Sequence, residues 1–223
     1  MCERYALPDQ LAAEREFAPA RIWWKFATRY NVAGGQYLPA IRLHDGASEA
    51  VMMRWGLIPS WAEGEAKGAP AVSVESDGLE HSLVHRGAWL AGQRCIVPVA
   101  GFYAWQLTSA KYRQPYFVHL IDRSVFGLGG VWDRSVSAED DVIESVALIS
   151  VPANELVSGI GGPVRGMPSI LRRRDYASWL QGDSRTARAA LQPYPAKWMR
   201  AYAVSPLVNS IVVDHPAMIR AVG

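Results

Sequence analysis

Hydrophobic and polar positions alternate in short runs along most of the chain, and turn signals separate the runs. Ala40-Ile41-Arg42-Leu43 and Ala50-Val51-Met52-Met53-Arg54-Trp55 flank His44-Asp45-Gly46. An Asp-Gly pair between two such runs predicts a hairpin. Arg29-Tyr30-Asn31-Val32-Ala33 predicts a strand end running into the Gly34-Gly35 turn. Further strands are predicted over 94–105 with an interruption at Gly101, and over 115–120, 125–132, 145–150 and 201–205. Helical patterning is sparser. Pro8-Asp9 can start a helix at 10–16, and two more are predicted over 175–181, capped by Asp175, and 184–191. Trp55-Gly56-Leu57-Ile58-Pro59-Ser60-Trp61 reads as a kinked aromatic loop, and 62–70 as an exposed one. Many short strands with few helices predict an α+β fold: a barrel-like antiparallel β-sheet core with peripheral helices, as a single domain over 1–223. No internal repeat, low-complexity tract or dividing linker interrupts the pattern.

Composition narrows the class. Half of the 223 residues are apolar and a fifth are charged, which is globular rather than disordered. No run approaches the roughly 18 apolar residues of a membrane span, and no secretory leader is expected. Cys2 and Cys95 cannot build a disulfide framework, and Cys95 reads as a buried strand cysteine. The expectation is a cytoplasmic protein without a membrane segment. No cofactor is expected, and no His, Cys or acidic cluster has metal-ligand spacing. A net charge of +2 does not announce a nucleic-acid binder. The cations are nearly all arginine, with lysine only at Lys25, Lys67, Lys111 and Lys197. Arginine suits bidentate phosphate contacts and stacking on bases, although codon bias gives the same composition.

The candidate chemistry lies at the start, in Met1-Cys2-Glu3-Arg4-Tyr5. Removal of Met1 would leave Cys2 with a free α-amine and a thiol on adjacent carbons. An aldehyde condenses with such an amine, and the thiol closes the imine into a thiazolidine. Terminal amines titrate near about 7.7–8.0 and thiols near about 8.5, so both are accessible nucleophiles at neutral pH. The plain alternative is that Cys2 begins a strand.

Taken together, several blocks resemble the SOS-response-associated peptidase family of abasic-site-processing proteins, from end to end of the chain. They are Cys2-Glu3-Arg4-Tyr5, Arg29-Tyr30-Asn31-Val32-Ala33, the Trp55–Trp61 loop and Arg94-Cys95-Ile96-Val97-Pro98-Val99-Ala100-Gly101-Phe102-Tyr103-Ala104-Trp105. Gln114-Pro115-Tyr116-Phe117, Gly129-Gly130-Val131-Trp132, Met167-Pro168-Ser169-Ile170-Leu171 and Val204-Ser205-Pro206-Leu207-Val208-Asn209-Ser210 continue the series. The resemblance implies binding of abasic sites in single-stranded DNA. It also implies covalent trapping of the ring-opened sugar by Cys2, helped by a hydrogen-bond donor, a carboxylate and a histidine.

Those helpers are replaced here. The family's Asn-Ala-Arg-x-Glu motif falls on Ala71-Val72-Ser73-Val74-Glu75, so its Asn is Ala71 and its Arg is Ser73. Its Gly-Phe-Tyr-Glu-Trp falls on Gly101–Trp105 and puts Ala104 in place of the glutamate. Its His-x-Arg-Met-Pro falls on 164–168 and puts Val164 in place of the histidine. A degenerate site is therefore expected, with crosslinking impaired and DNA binding weak. The alternative is a non-catalytic DNA-binding or protein-interaction module. Among the survivors, Arg4 could grip a phosphate or pair with a surface carboxylate. Trp61 could stack on a base or sit in the core. Glu75 could hold a backbone group or Arg4, or be a remnant of the catalytic set. Of the histidines, His119 reads as packed, and His44, His81, His85 and His215 as loop residues. Arg172-Arg173-Arg174 reads as a solvated run that could line a DNA approach. The oligomeric state is left open.

Overall fold

The computed structural model describes residues 4–62, 71–108, 113–162 and 166–222. In chain order the strands are β1 (Arg4–Leu7), β2 (Arg21–Ile22), β3 (Arg29–Ala33), β4 (Tyr37–His44), β5 (Ala47–Trp55), β6 (Ser73–Glu75) and β7 (Arg94–Val99). They continue as β8 (Gly101–Leu107), β9 (Arg113–Leu120), β10 (Phe126–Val136), β11 (Val142–Val151), β12 (Met167–Pro168), β13 (Ile170–Leu171) and β14 (Met199–Ala203). The helices are α1 (Gln10–Phe17), α2 (Arg86–Leu90), α3 (Glu155–Gly161), α4 (Tyr176–Gln181) and α5 (Ser184–Ala189).

The expected α+β architecture is present. One sheet runs β14-β9-β8-β1-β3. The other runs β12-β11-β10-β7-β4-β5-β2 and closes on itself. Closure comes from β5 pairing with β11, Arg54 opposite Ser145 and Trp55 opposite Val146. Strands β5, β4, β7, β10 and β11 thus form a closed barrel. Four of its five seams are antiparallel and the closing one is parallel. Closure leaves those strands no free edge. The register places Leu38, Met53, Trp55 and Val146 on one face of the barrel wall and Ile41, Ile96, Val131 and Ala147 on the other, all buried in one cluster with Trp89 and Trp179.

Local chemistry explains the best-read elements. Asp45 (φ 49°) and Gly46 (φ 73°) both adopt left-handed conformations, as the two-residue hairpin between β4 and β5 requires. The Asp9 carboxylate accepts from Ala12 N and caps α1. Asp175 does not cap α4: it ends a 3-10 turn, and its carboxylate lies 3.6 Å from Arg174 Nε. The break in 94–105 falls at Ala100, where the chain leaves the barrel for the second sheet and Ala100 N donates to Ala6 O. Gly101 follows because nothing larger fits. A Cβ there would lie 2.3 Å from Phe117 Cζ and 2.7 Å from Val118 O. No helix among the described residues is long and apolar enough to cross a membrane.

Two titratable residues are deeply held. Cys95 is fully buried, as expected, and burial pushes its thiol far up. His85 lies in the turn before α2, as expected of a loop residue, but it is buried: it is 6 % exposed, with Nδ1 2.7 Å from Ser82 Oγ. Burial lowers its pKa from the usual 6.5 to about 4. Between those values the unfolded chain takes a proton that the folded chain refuses. Stability is therefore lost as pH falls from about 6.5 toward about 4. At pH 5 this group alone should cost about 2 kcal/mol relative to pH 7. Thermal unfolding of His85→Gln at both pH values should show a smaller difference than the parent; an equal difference refutes the assignment.

Candidate functional site

Cys2 and Val164 lie outside the described residues, so the site is built from the segments around them. The described chain begins two residues after Cys2, with β1 between β3 and β8. Arg4 lies opposite Ala33, and Tyr5 opposite both Val32 and Phe102. Tyr5 is buried with its ring 5.0 Å from that of Trp55. The Trp55 indole Nε1 donates to Val72 O at 2.8 Å, and Leu148 N reaches the same carbonyl at 3.0 Å. Gly34, next to the partner of Arg4, comes so close to Val72 that an added Cβ would stand 2.5 Å from Val72 Cγ1. The start of β1 and the 71–75 segment are therefore locked together through Trp55, Gly34 and Val72.

Strand β6 runs parallel to β11, with Ser73 opposite Leu148 and Glu75 opposite Ser150. On its other side Ser150 opposes Pro168 of β12. Glu75 and Pro168 thus flank one residue, which brings the 71–75 and 164–168 motifs to the same end of β11. Ala71 and Ser73 are half-buried and the Glu75 side chain is exposed. Ala104 lies on β8 opposite Tyr116, is only 4 % exposed and belongs to the main core. Helix α3 packs against β8 and ends just before 163–165.

The aromatic loop is bolted to the outside of the barrel. Gly56 N donates to Val146 O, Ile58 N to Ser145 Oγ at 2.8 Å, and Ser60 N to the Asp133 carboxylate at 2.8 Å. Leu57 pairs with Ala71, tying the loop to the helper segment. Trp61, at its end, is 66 % exposed. That position rules out a core role and leaves a ring face for solvent or a ligand.

Arg4 has partners that sequence reasoning missed. Its Nη1 donates to Asn31 Oδ1 at 2.9 Å and to Val208 O at 2.7 Å. Asn31 is fully buried, and its Nδ2 donates to Ser210 O at 2.7 Å and Val213 O at 2.8 Å. Tyr103 Oη donates to Tyr30 O at 2.5 Å, and Trp105 Nε1 donates to Asn209 Oδ1 at 2.8 Å. Burial, helped by the Asp214 charge, holds the Tyr103 phenol well above its ordinary pKa, so it stays a donor. Asp214 in turn accepts from Arg29 Nε and Tyr30 N. Residues 205–214 are thereby laced across β1, β3 and β8 beside the N-terminus. The available signal was the recurrence of these residues in two separated blocks, Arg29–Ala33 and Val204–Ser210.

Chemically, the described part of the site offers an exposed indole at Trp61, an exposed carboxylate at Glu75 and a guanidinium fixed at Arg4. It offers no imidazole or carboxylate at 104. Among the described residues, no group of three or more His, Cys, Asp or Glu side chains could hold a metal.

The family model for SOS response associated peptidase (SRAP) matches residues 1–211. Abasic site processing protein YoqW of Bacillus subtilis is 31% identical over 217 residues, covering 96% of this chain and 91% of that protein. Abasic site processing protein HMCES of Gallus gallus is 28% identical, covering 76% of this chain and 57% of its own length. A crystal structure from Bacteroides thetaiotaomicron shares the fold, with a TM-score of 0.84 at 20% identity over 99% of this chain and all of that one. One from Bordetella bronchiseptica superimposes with a TM-score of 0.80 at 26% identity over 92% of this chain and all of its own. The family model over nearly the whole chain, with relatives 31% identical over 96% of it, makes this chain a member of the SRAP family.

Proposed function

We propose that this protein binds abasic sites in single-stranded DNA and that its covalent capture of them through Cys2 is slow. In that reaction the α-amine of Cys2, freed of Met1, attacks the sugar aldehyde and expels water to leave an imine. The Cys2 thiol then adds to the imine carbon, its proton passes to nitrogen, and a thiazolidine closes with no net oxidation. Each proton transfer benefits from a positioned acid or base. The observation that carries the proposal is Ala104: a buried methyl packs into the core where the family places its glutamate. Ala71, Ser73 and Val164 remove the donor, the second cation and the imidazole. Binding groups remain. Trp61 presents a face for stacking, Arg4 places positive charge beside the N-terminus, and Glu75 edges the same region. The proposed setting is cytoplasmic, which fits a chain without a disulfide framework.

Incubation with abasic single-stranded DNA, followed by denaturing electrophoresis and intact-mass analysis of the N-terminus, tests this. The expected result is slow adduct formation, only from molecules lacking Met1 and absent in Cys2→Ala. Rapid stoichiometric crosslinking would overturn the impaired-site reading. Anisotropy at two salt concentrations should show weak binding with a slope worth a few phosphates. Trp61→Ala should lose roughly 1–3 kcal/mol, the usual worth of one stacked base. A second reading, binding without any adduct, is favoured by the same closure at Ala104 and predicts identical anisotropy with no Cys2-dependent band. No binding at low salt would leave a protein-interaction role.

A further inference from the structure

We infer that a second surface, centred on Trp198 and outside the family blocks quoted above, holds the single-stranded nucleic acid beyond the abasic site. The inference rests on the DNA-binding reading above and extends it to a new contact. Trp198 is 44 % exposed although it is large and apolar. Its neighbours are not a core: Lys197 Nζ lies 5.2 Å from the ring centroid, Arg172 Cζ 6.0 Å, and Tyr194 meets it edge-on at 6.0 Å. A half-exposed indole with an ammonium and a guanidinium over its ring puts an aromatic surface and charge for a phosphate backbone in one place, and a stacking base would displace a cation toward the phosphates.

The ring stands beside a cavity of about 460 Å³ whose lining includes Asn154, Glu155, Tyr194, Pro195 and Lys197. The lining is firm. Asn154 Nδ2 donates to Tyr194 O at 2.6 Å, while its Oδ1 caps α3 by accepting from Val157 N. Ile121 N donates to Trp198 O at 3.0 Å, fixing the platform to the end of β9. Glu155 is the opposing charge of this cavity, so phosphate contact is assigned to Lys197 and Arg172 at the ring and not to the cavity floor.

The two surfaces are joined by α3. Its first residue lines the cavity, its body packs on the strand carrying Ala104, and at 1.5 Å per residue its seven residues span about 10 Å. Helix α3 contacts both β8 and the 196–198 turn, so a strand passing the Ala104 strand and following α3 would reach the platform. An acidic peptide would use the two cations but gain little from the indole, whereas a base-bearing strand uses all three groups.

Fluorescence anisotropy with oligothymidines of about 4 and about 16 nucleotides tests this, lengths that bracket common single-strand site sizes. Trp198→Ala should weaken the long strand roughly tenfold or more, since a base–aromatic stack is worth about 1–3 kcal/mol, and should leave the short one unchanged. Trp198→Tyr should recover most of the loss. Arg172→Ala with Lys197→Ala should lower the salt slope for the long strand by about two. If Trp198→Ala changes neither affinity while Trp61→Ala lowers both, this inference falls and the DNA-binding reading stands. If the parent binds neither strand at low salt, both fall. Displacement of the long strand by polyglutamate but not by excess oligothymidine would overturn the inference in favour of an acidic protein partner. Melting transitions matching the parent's qualify each variant for comparison.

Discussion

Ala71→Asn, Ala104→Glu and Val164→His, introduced together, should accelerate covalent capture of abasic DNA by two orders of magnitude or more. A positioned acid or base typically contributes about 10²–10⁴-fold to a proton-transfer step, and imine formation, ring closure and reversal each involve one. The scaffold around these positions is intact. Ala71 is paired to Leu57, Ser73–Glu75 to β11, and Tyr103 and Trp105 on either side of Ala104 are held by hydrogen bonds to Tyr30 and Asn209. The obstacle is at 104, where a carboxylate would enter a core position only 4 % exposed. An unpaired buried charge is expensive, so Ser73→Arg is the natural fourth change. The readout is the rate of adduct formation with Met1 shown to be absent. If the variant melts like the parent and crosslinks no faster, the pocket has closed around alanine and the rate of capture is not set by the missing groups.

The second large effect is on stability. Asn31→Ala should destabilise the fold by about 1–3 kcal/mol, because three part-buried hydrogen bonds are lost at once, each worth about 0.5–1.5 kcal/mol. The amide of Asn31 accepts from Arg4 and donates to Ser210 O and Val213 O. Asn31→Asp keeps an acceptor for Arg4 but loses both donations, so it should recover only part of the loss. Denaturant unfolding measures this directly. A midpoint within 0.5 kcal/mol of the parent, the scale of ordinary surface changes, would mean that the 205–214 segment is not held through Asn31.

How much of this could be read in the chain depended on how local each determinant is. The β4–β5 hairpin was legible because Asp45-Gly46 supplies the required backbone on its own, and α1 because Asp9 caps it. Helix α3 was not, because Gly159 and Gly161 dilute its pattern and its support comes from Asn154 and β8. Strand β6 has three residues and exists only because β11 lies beside it. The parallel seam between β5 and β11 joins positions about ninety residues apart, and period-two alternation carries no information about such partners. The motif positions were found through resemblance, while their convergence is a product of tertiary structure. Trp61 shows the same division: its place in a loop was legible, but its exposure was not. The Arg4 and Asn31 clamp was hard to read because three of its four acceptors are backbone carbonyls, which no side-chain pattern reports.

That clamp has a consequence for the order of events during synthesis. Strand β1 is among the first residues made, yet Arg4 is fastened to the carbonyl of Val208, 204 positions later. A ribosome-bound chain that has not yet released Val208 lacks the partner that sets the start of β1. Cys2 can therefore stand on a nascent chain long before the strand that follows it is fastened. That fastening forms only once Val208 is made, so premature termination before Val208 should yield protein whose β1 lacks it.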